Sequence, residues 1–207
     1  MGLYNEPIAA VIVGMLLSLS AGVRITLPLL AVNLLAFFHE ITLPGNMTWL
    51  GSESTLIILS VAGVIETIIH FIPAVGTYVK ALATPLSFVA GTLLMAVPLG
   101  DHNPLYQWTL AAAAGGTMAT LTHLGVTGAR TMAAPANVAS LGLFGIIWNV
   151  AEPLISLLLA ALGGLCVLLG WVVGVGILAV IAVLVVILLT KGYSRWSARS
   201  AREIPTA

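Results

Sequence analysis

The chain has 207 residues, 60% of them hydrophobic and 7% charged, with a net charge of zero and a mean hydropathy of +1.14. A soluble domain carries about 25% charged residues, so the composition excludes an ordinary water-soluble globule and predicts an all-α integral membrane protein. It also excludes a nucleic-acid binder, since no basic face exists outside a short tail, and an intramolecular disulfide, since Cys166 is the single cysteine.

Met1 to Pro7 lacks the positive start of a secretory signal, so the first apolar segment is expected to remain in the mature protein. That segment, Ile8 to Phe38, has 31 residues and one charge, Arg24. As a straight helix it would run roughly 46 Å, against about 30 Å of hydrocarbon. It is therefore either tilted or, as Gly22 and Pro28 favour, broken between them. His39 to Ser54 is the longest polar connection, with a turn signal at Pro44-Gly45-Asn46 and Trp49 as an interface anchor. Thr55 to Ile72 is predicted as a second helix and Val75 to Val97 as a third, with Pro85 inside it and Lys80 near its start.

The polar turn Pro98 to Pro104 is the midpoint. Leu105 to Leu124 is predicted as a fourth helix, with small residues at Ala111 to Gly116 that permit close backbone approach. A second Gly-x-Arg pattern follows, Gly128-Ala129-Arg130 with Pro135, and predicts a second break. Leu141 to Leu162 is the fifth helix, Gly163-Gly164 a turn, and Leu165 to Leu189 the sixth, with Gly170, Gly174 and Gly176 as a packing face. Residues 1–190 thus form one transmembrane domain. Residues 191–207 are a basic tail with Lys191, Arg195, Arg199 and Arg202, which the positive-inside rule assigns to the cytoplasm. Six spans would put the N-terminus there too. A re-entrant segment would change that count.

The halves 7–98 and 104–190 suggest an inverted repeat of three plus three segments, as in many secondary transporters. Each carries an Arg and then a Glu, Arg24 with Glu66 and Arg130 with Glu152, 42 and 22 residues apart. The 20-residue difference is roughly the His39–Ser54 connection. Chance coincidence of Gly, Arg and Pro in a Gly-rich chain is the plain alternative.

An arginine in hydrocarbon costs about 3 kcal/mol or more unless it faces protein or water. One reading of Arg24 and Arg130 is an anionic substrate or lipid headgroup held between them, with Thr26 and Asn137 lining the site. Another is two structural ion pairs with Glu66 and Glu152, and a third is snorkelling to headgroups. Glu66, Glu152, His70 (four residues after Glu66) and Asn149 are the candidates for proton coupling or ion pairing. Metal binding is not expected, because no spacing demands it, and no cofactor is expected. His70 and His123 are expected to be interfacial side chains near helix ends. Thr67 and Thr120 fit either a wet cavity or helix-joining hydrogen bonds. No phosphate loop, Cys-pair motif or Gly-x-Ser-x-Gly is present, so an enzyme is not expected; acid–base work on lipid by Glu66, His70 and Glu152 is the one catalytic route.

The order Ala21-Gly22-Val23-Arg24 with Leu27-Pro28-Leu29, Trp49-Leu50-Gly51-Ser52, Val64-Ile65-Glu66 to Pro73, His123, Arg130 and Asn149-x-x-Glu152 resembles a family of small bacterial integral membrane proteins catalogued as a domain of unknown function. Similar proteins often have an aspartate at the position of His70 and Asn-Pro at Asn149-Val150. The resemblance covers the chain to about Leu162 and implies a bacterial inner-membrane setting with no assigned activity. The expected function is a small transporter or lipid-translocating protein for an anionic group. Its architecture is analogous to that of DedA-type lipid-phosphate translocases, and a homodimer would help enclose a path. The alternative is a non-catalytic accessory subunit of a larger membrane complex.

Overall fold

The computed structural model describes residues 7–70, 76–100, 102–140 and 142–169, with six helical positions between 176 and 187. Every regular element among them is helical. The order is α1 (Pro7–Val23), α2 (Thr26–Phe37), a 3-10 segment (Gly45–Gly51), α3 (Glu53–His70), α4 (Gly76–Ala96), α5 (Pro104–Leu110), a π turn (Ala111–Gly116), α6 (Thr117–Ala139) and α7 (Leu143–Leu169).

Helix α1 is the hub. It packs against α4, α6, α7 and the π turn, and Ala10, Leu16, Ser18, Ser20 and Ala21 on it are fully buried. Small residues make this crowding possible. A methyl on Gly115 would lie 2.3 Å from Met95 Cβ and 2.6 Å from the Gly91 carbonyl, so Gly91 and Gly115 bring α4 and the π turn into backbone contact. The Ser18 hydroxyl lies 2.7 Å from the Gly14 carbonyl and 2.9 Å from that of Gly91. Ser20 and Ser156 each reach the other's carbonyl, at 2.6 and 3.1 Å, and join α1 to α7. Such bonds matter where apolar association gives helices no net attraction.

The outside is apolar. Ile57, Ile58, Val61, Val64, Ile65 and Ile68 on α3 are each at least half exposed, and Leu154, Leu157 and Leu158 extend the same character along α7. A water-soluble monomer rarely shows so continuous a patch. Among the described residues one helix, Gly145–Gly163, is long and apolar enough to cross a membrane alone; the bent pair Gly45–Gly51 and Glu53–Ile69, at 57°, makes a second if counted as one span. Ile8–Val23, Thr26–Phe37 and Leu82–Ala96 are apolar but shorter.

The first predicted break is present. Helix α1 stops at Val23 and α2 starts at Thr26, leaving Arg24 and Ile25 between them. Pro28, third in α2, sits where backbone N–H groups have no helical partner anyway. Gly22 plays a different part from the one expected. It is helical, and a methyl there would lie 2.4 Å from Thr122 Cβ and 2.5 Å from the Ala119 carbonyl. It lets α6 approach and does not release the chain.

The second predicted break is absent. Helix α6 runs through Gly128 to Ala139 with Pro135 inside it, so the fourth helix continues past Leu124. Helix α7 likewise passes through Gly163-Gly164 to Leu169, where a turn was expected. Most of the predicted sixth helix, including Gly170 and Gly174, and the basic tail lie outside the described residues.

Candidate functional site

The break after Val23 is built by competition for backbone donors. In a continuous helix the N–H groups of Ile25 and Thr26 would bond the carbonyls of Ala21 and Gly22. Here both N–H groups donate to Glu66, each at 3.2 Å, one to each carboxylate oxygen, and the Thr26 hydroxyl donates to Oε2. Glu66 caps α2 from α3, and the partial positive charge at the start of α2 favours it there. Thr122 and Ala119 of α6 pack directly against Gly22, beside the break. Thr26 is thus bound to Glu66 and not to open space.

Glu152 anchors the other side. Arg130 reaches both of its oxygens, Nε to Oε1 at 2.5 Å and Nη2 to Oε2. The Trp148 indole N–H, one turn earlier on α7, also donates to Oε1. Glu152 is 3% exposed and Arg130 24%. A bidentate arginine plus an indole donor is the arrangement that makes a buried carboxylate tolerable.

Arg24 is served much less well. It is 2% exposed, yet its guanidinium bonds are both long: Nη1 to the Thr67 hydroxyl and Nη2 to the Asn149 carbonyl, each 3.5 Å. Its Nε is buried without a hydrogen-bond partner, and the nearest carboxylate oxygen to it in an ion pair is Glu152 Oε2 at 3.9 Å. The Asn149 carbonyl is available for a reason of sequence. Its helical donor would be residue 153, and Pro153 has no N–H. Arg24 occupies the gap that Pro153 leaves in α7.

The expected site residues divide accordingly. Arg24, Thr26, Glu66, Arg130, Glu152 and Asn149 converge on one cluster, in which both arginines face Glu152 and Glu66 serves the helix break. Arg130 pairs with Glu152, and Arg24 lies in the field of both Glu66 and Glu152. Asn137 is helical in α6 and His70 ends α3, but the side chains of both lie outside the described residues. His123 is half-buried on α6, within electrostatic range of Arg130, Glu66 and Glu152, with its Nε2 buried and unpartnered. Trp148 was missed, although its spacing of four from Glu152 on one helix is a usable signal.

These features define an all-α, apolar-surfaced protein with an Arg–Glu–Arg cluster buried beside a broken helix. The chain belongs to the family described as Domain of unknown function (DUF4126), whose family model matches residues 11–191. Every residue of the cluster falls inside that match. Searches of curated proteins and of solved structures gave no match.

Proposed function

We propose that this is a small multi-pass protein of a bacterial inner membrane that binds and moves an anionic group, as a transporter or lipid-translocating protein, with its C-terminal tail in the cytoplasm. One observation carries the reading, the coordination of Arg24. A guanidinium has five N–H donors, and this one is buried with two long hydrogen bonds and an unpartnered Nε. Since a buried arginine that serves only structure is normally fully paired, Arg24 is the donor to which an anion is bound. Arg130 backs it through Glu152, and the reading includes a six-segment, three-plus-three plan that would bring the two arginines to one depth in the membrane. Glu66 and Glu152 balance the arginines when the site is empty and are the candidates for proton exchange.

A second reading, an accessory subunit of a larger membrane complex, is favoured by the saturation of Glu152. Its contacts with Arg130 and Trp148 are those of a finished structural pair, and the apolar face of α3 suits helix docking. Native mass spectrometry of gently extracted protein separates the two. A bound anionic lipid or small molecule, lost in Arg24→Ala/Arg130→Ala, is the result expected. A stable assembly with another protein, unchanged in that variant, would overturn the transporter.

A further inference from the structure

We propose that the N-terminus of α2, together with Arg24, is a site for a singly charged phosphoryl group, and that Glu66 occupies it as an internal stand-in which the ligand displaces. The inference rests on the anion-binding reading above and specifies its ligand. Three donors already form an oxyanion cradle: the N–H groups of Ile25 and Thr26 and the Thr26 hydroxyl. Helix N-termini bind phosphoryl groups in this way. The independent observation is Arg24, whose Nη1 reaches Thr67, the neighbour of Glu66, and whose Nε has no hydrogen-bond partner. A carboxylate has two oxygens, and the cradle engages both. A phosphoryl group brings further oxygens, and one of them meets the Arg24 guanidinium on the side of Nη1, whose bond to Thr67 is long at 3.5 Å.

Charge sets the valence. Arg24 and Arg130 balance Glu66 and Glu152. Withdrawing Glu66 leaves one positive charge in a poorly solvated cluster, so one negative charge restores neutrality and two overshoot it. A phosphodiester headgroup and singly protonated inorganic phosphate carry that charge. The mechanics are also simple. Helix α3 rests mainly on α2 and the 3-10 segment, with Gly63 over Thr26. Displacing Glu66 therefore loads the contact of α3 with α2 before it loads the packing around α1.

The test uses the full-length protein in mild detergent. Phosphatidylglycerol is titrated by native mass spectrometry, and inorganic phosphate by its effect on thermal unfolding. Glutamine at 66 keeps one acceptor but turns an NH2 group toward a donor, so Glu66→Gln should bind the probe on the order of tenfold more tightly than wild type, the scale of losing charge-assisted hydrogen bonds. Glu66→Asp keeps the charge on a shorter arm and should fall between the two. Arg24→Gln should remove binding in each background. Tightening toward phosphatidylglycerol identifies a lipid headgroup, and tightening toward phosphate alone identifies a free anion. Binding that needs Arg24 but is unchanged in Glu66→Asp, which decides the matter even if Glu66→Gln does not fold, would overturn displacement and leave the transporter reading standing. No binding of either probe to wild type or variants would overturn both.

Discussion

Two stretches of this chain look alike as sequence and behave in opposite ways. Gly22 to Pro28 is broken, its arginine buried and under-coordinated. Gly128 to Pro135 is one unbroken helix, its arginine partly exposed and doubly bonded to Glu152. The prolines do not explain the contrast, since the chain tolerates Pro85, Pro135 and Pro153 inside helices. The difference lies in what competes for the backbone. After Val23 the carboxylate of Glu66 takes two N–H groups that would have continued the helix. The comparison teaches that an apolar helix breaks where a strong acceptor arrives from a neighbour, and that Gly and Pro nearby are permissive only.

Three sets of variants break or sharpen this contrast, all read as thermal unfolding in one detergent. The largest effect belongs to Glu152→Gln, which removes the anion both arginines share. A loss of about 3–5 kcal/mol is expected, the scale of stranding a buried charge; a loss near zero would show that the two stretches do not meet at Glu152. Next comes the pair of arginines. Arg130→Met strands Glu152 and should cost roughly 3 kcal/mol, whereas Arg24→Met removes a charge with only long contacts and should cost less, about 1 kcal/mol. The less buried arginine is thus the one stability needs, and equal losses would refute that ranking. The smallest effects belong to the glycines. Gly22→Ala drives a methyl into Thr122 and Ala119 and should cost about 1–3 kcal/mol. Gly128→Ala meets nothing within 4 Å and should stabilise α6 by up to about 1 kcal/mol. Matching signs for the two would mean that the glycines share one role after all.

Much of this arrangement was legible in the sequence, because charge in an apolar run is a sparse and strong signal. Arg24, Glu66, Arg130 and Glu152 stood out by that alone, and the break before Pro28 followed from segment length. What was hidden is whatever depends on tertiary neighbours. The approach of Arg24 to Glu152 as well as Glu66 requires knowing how α1, α6 and α7 pack. The use of Gly22 for helix contact requires knowing that Thr122 lies opposite. The continuity of α6 and α7 through Gly128, Pro135 and Gly163 could not be read locally, since an apolar setting leaves the backbone no partner but itself and so suppresses the turns that glycine and proline signal in water. The half-burial of His123 is likewise hidden from the sequence, because it depends on how closely α6 approaches α1.

The π turn at Ala111–Gly116 carries a consequence for angular phase. Each residue of an α-helix advances the chain by about 100°, and a π turn holds one residue more than the regular spiral accommodates. The face that seats Gln107 against the carbonyl of Ala96 and the face that aims Arg130 at Glu152 are therefore kept in step across an inserted residue. Removing one alanine from that turn would close it to a regular helical turn with both faces still in phase, whereas removing one residue from the regular helix on either side would rotate one face about 100° away from its partner. The π turn is thus the one place between Gln107 and Arg130 where the residue count can change without moving the charge cluster.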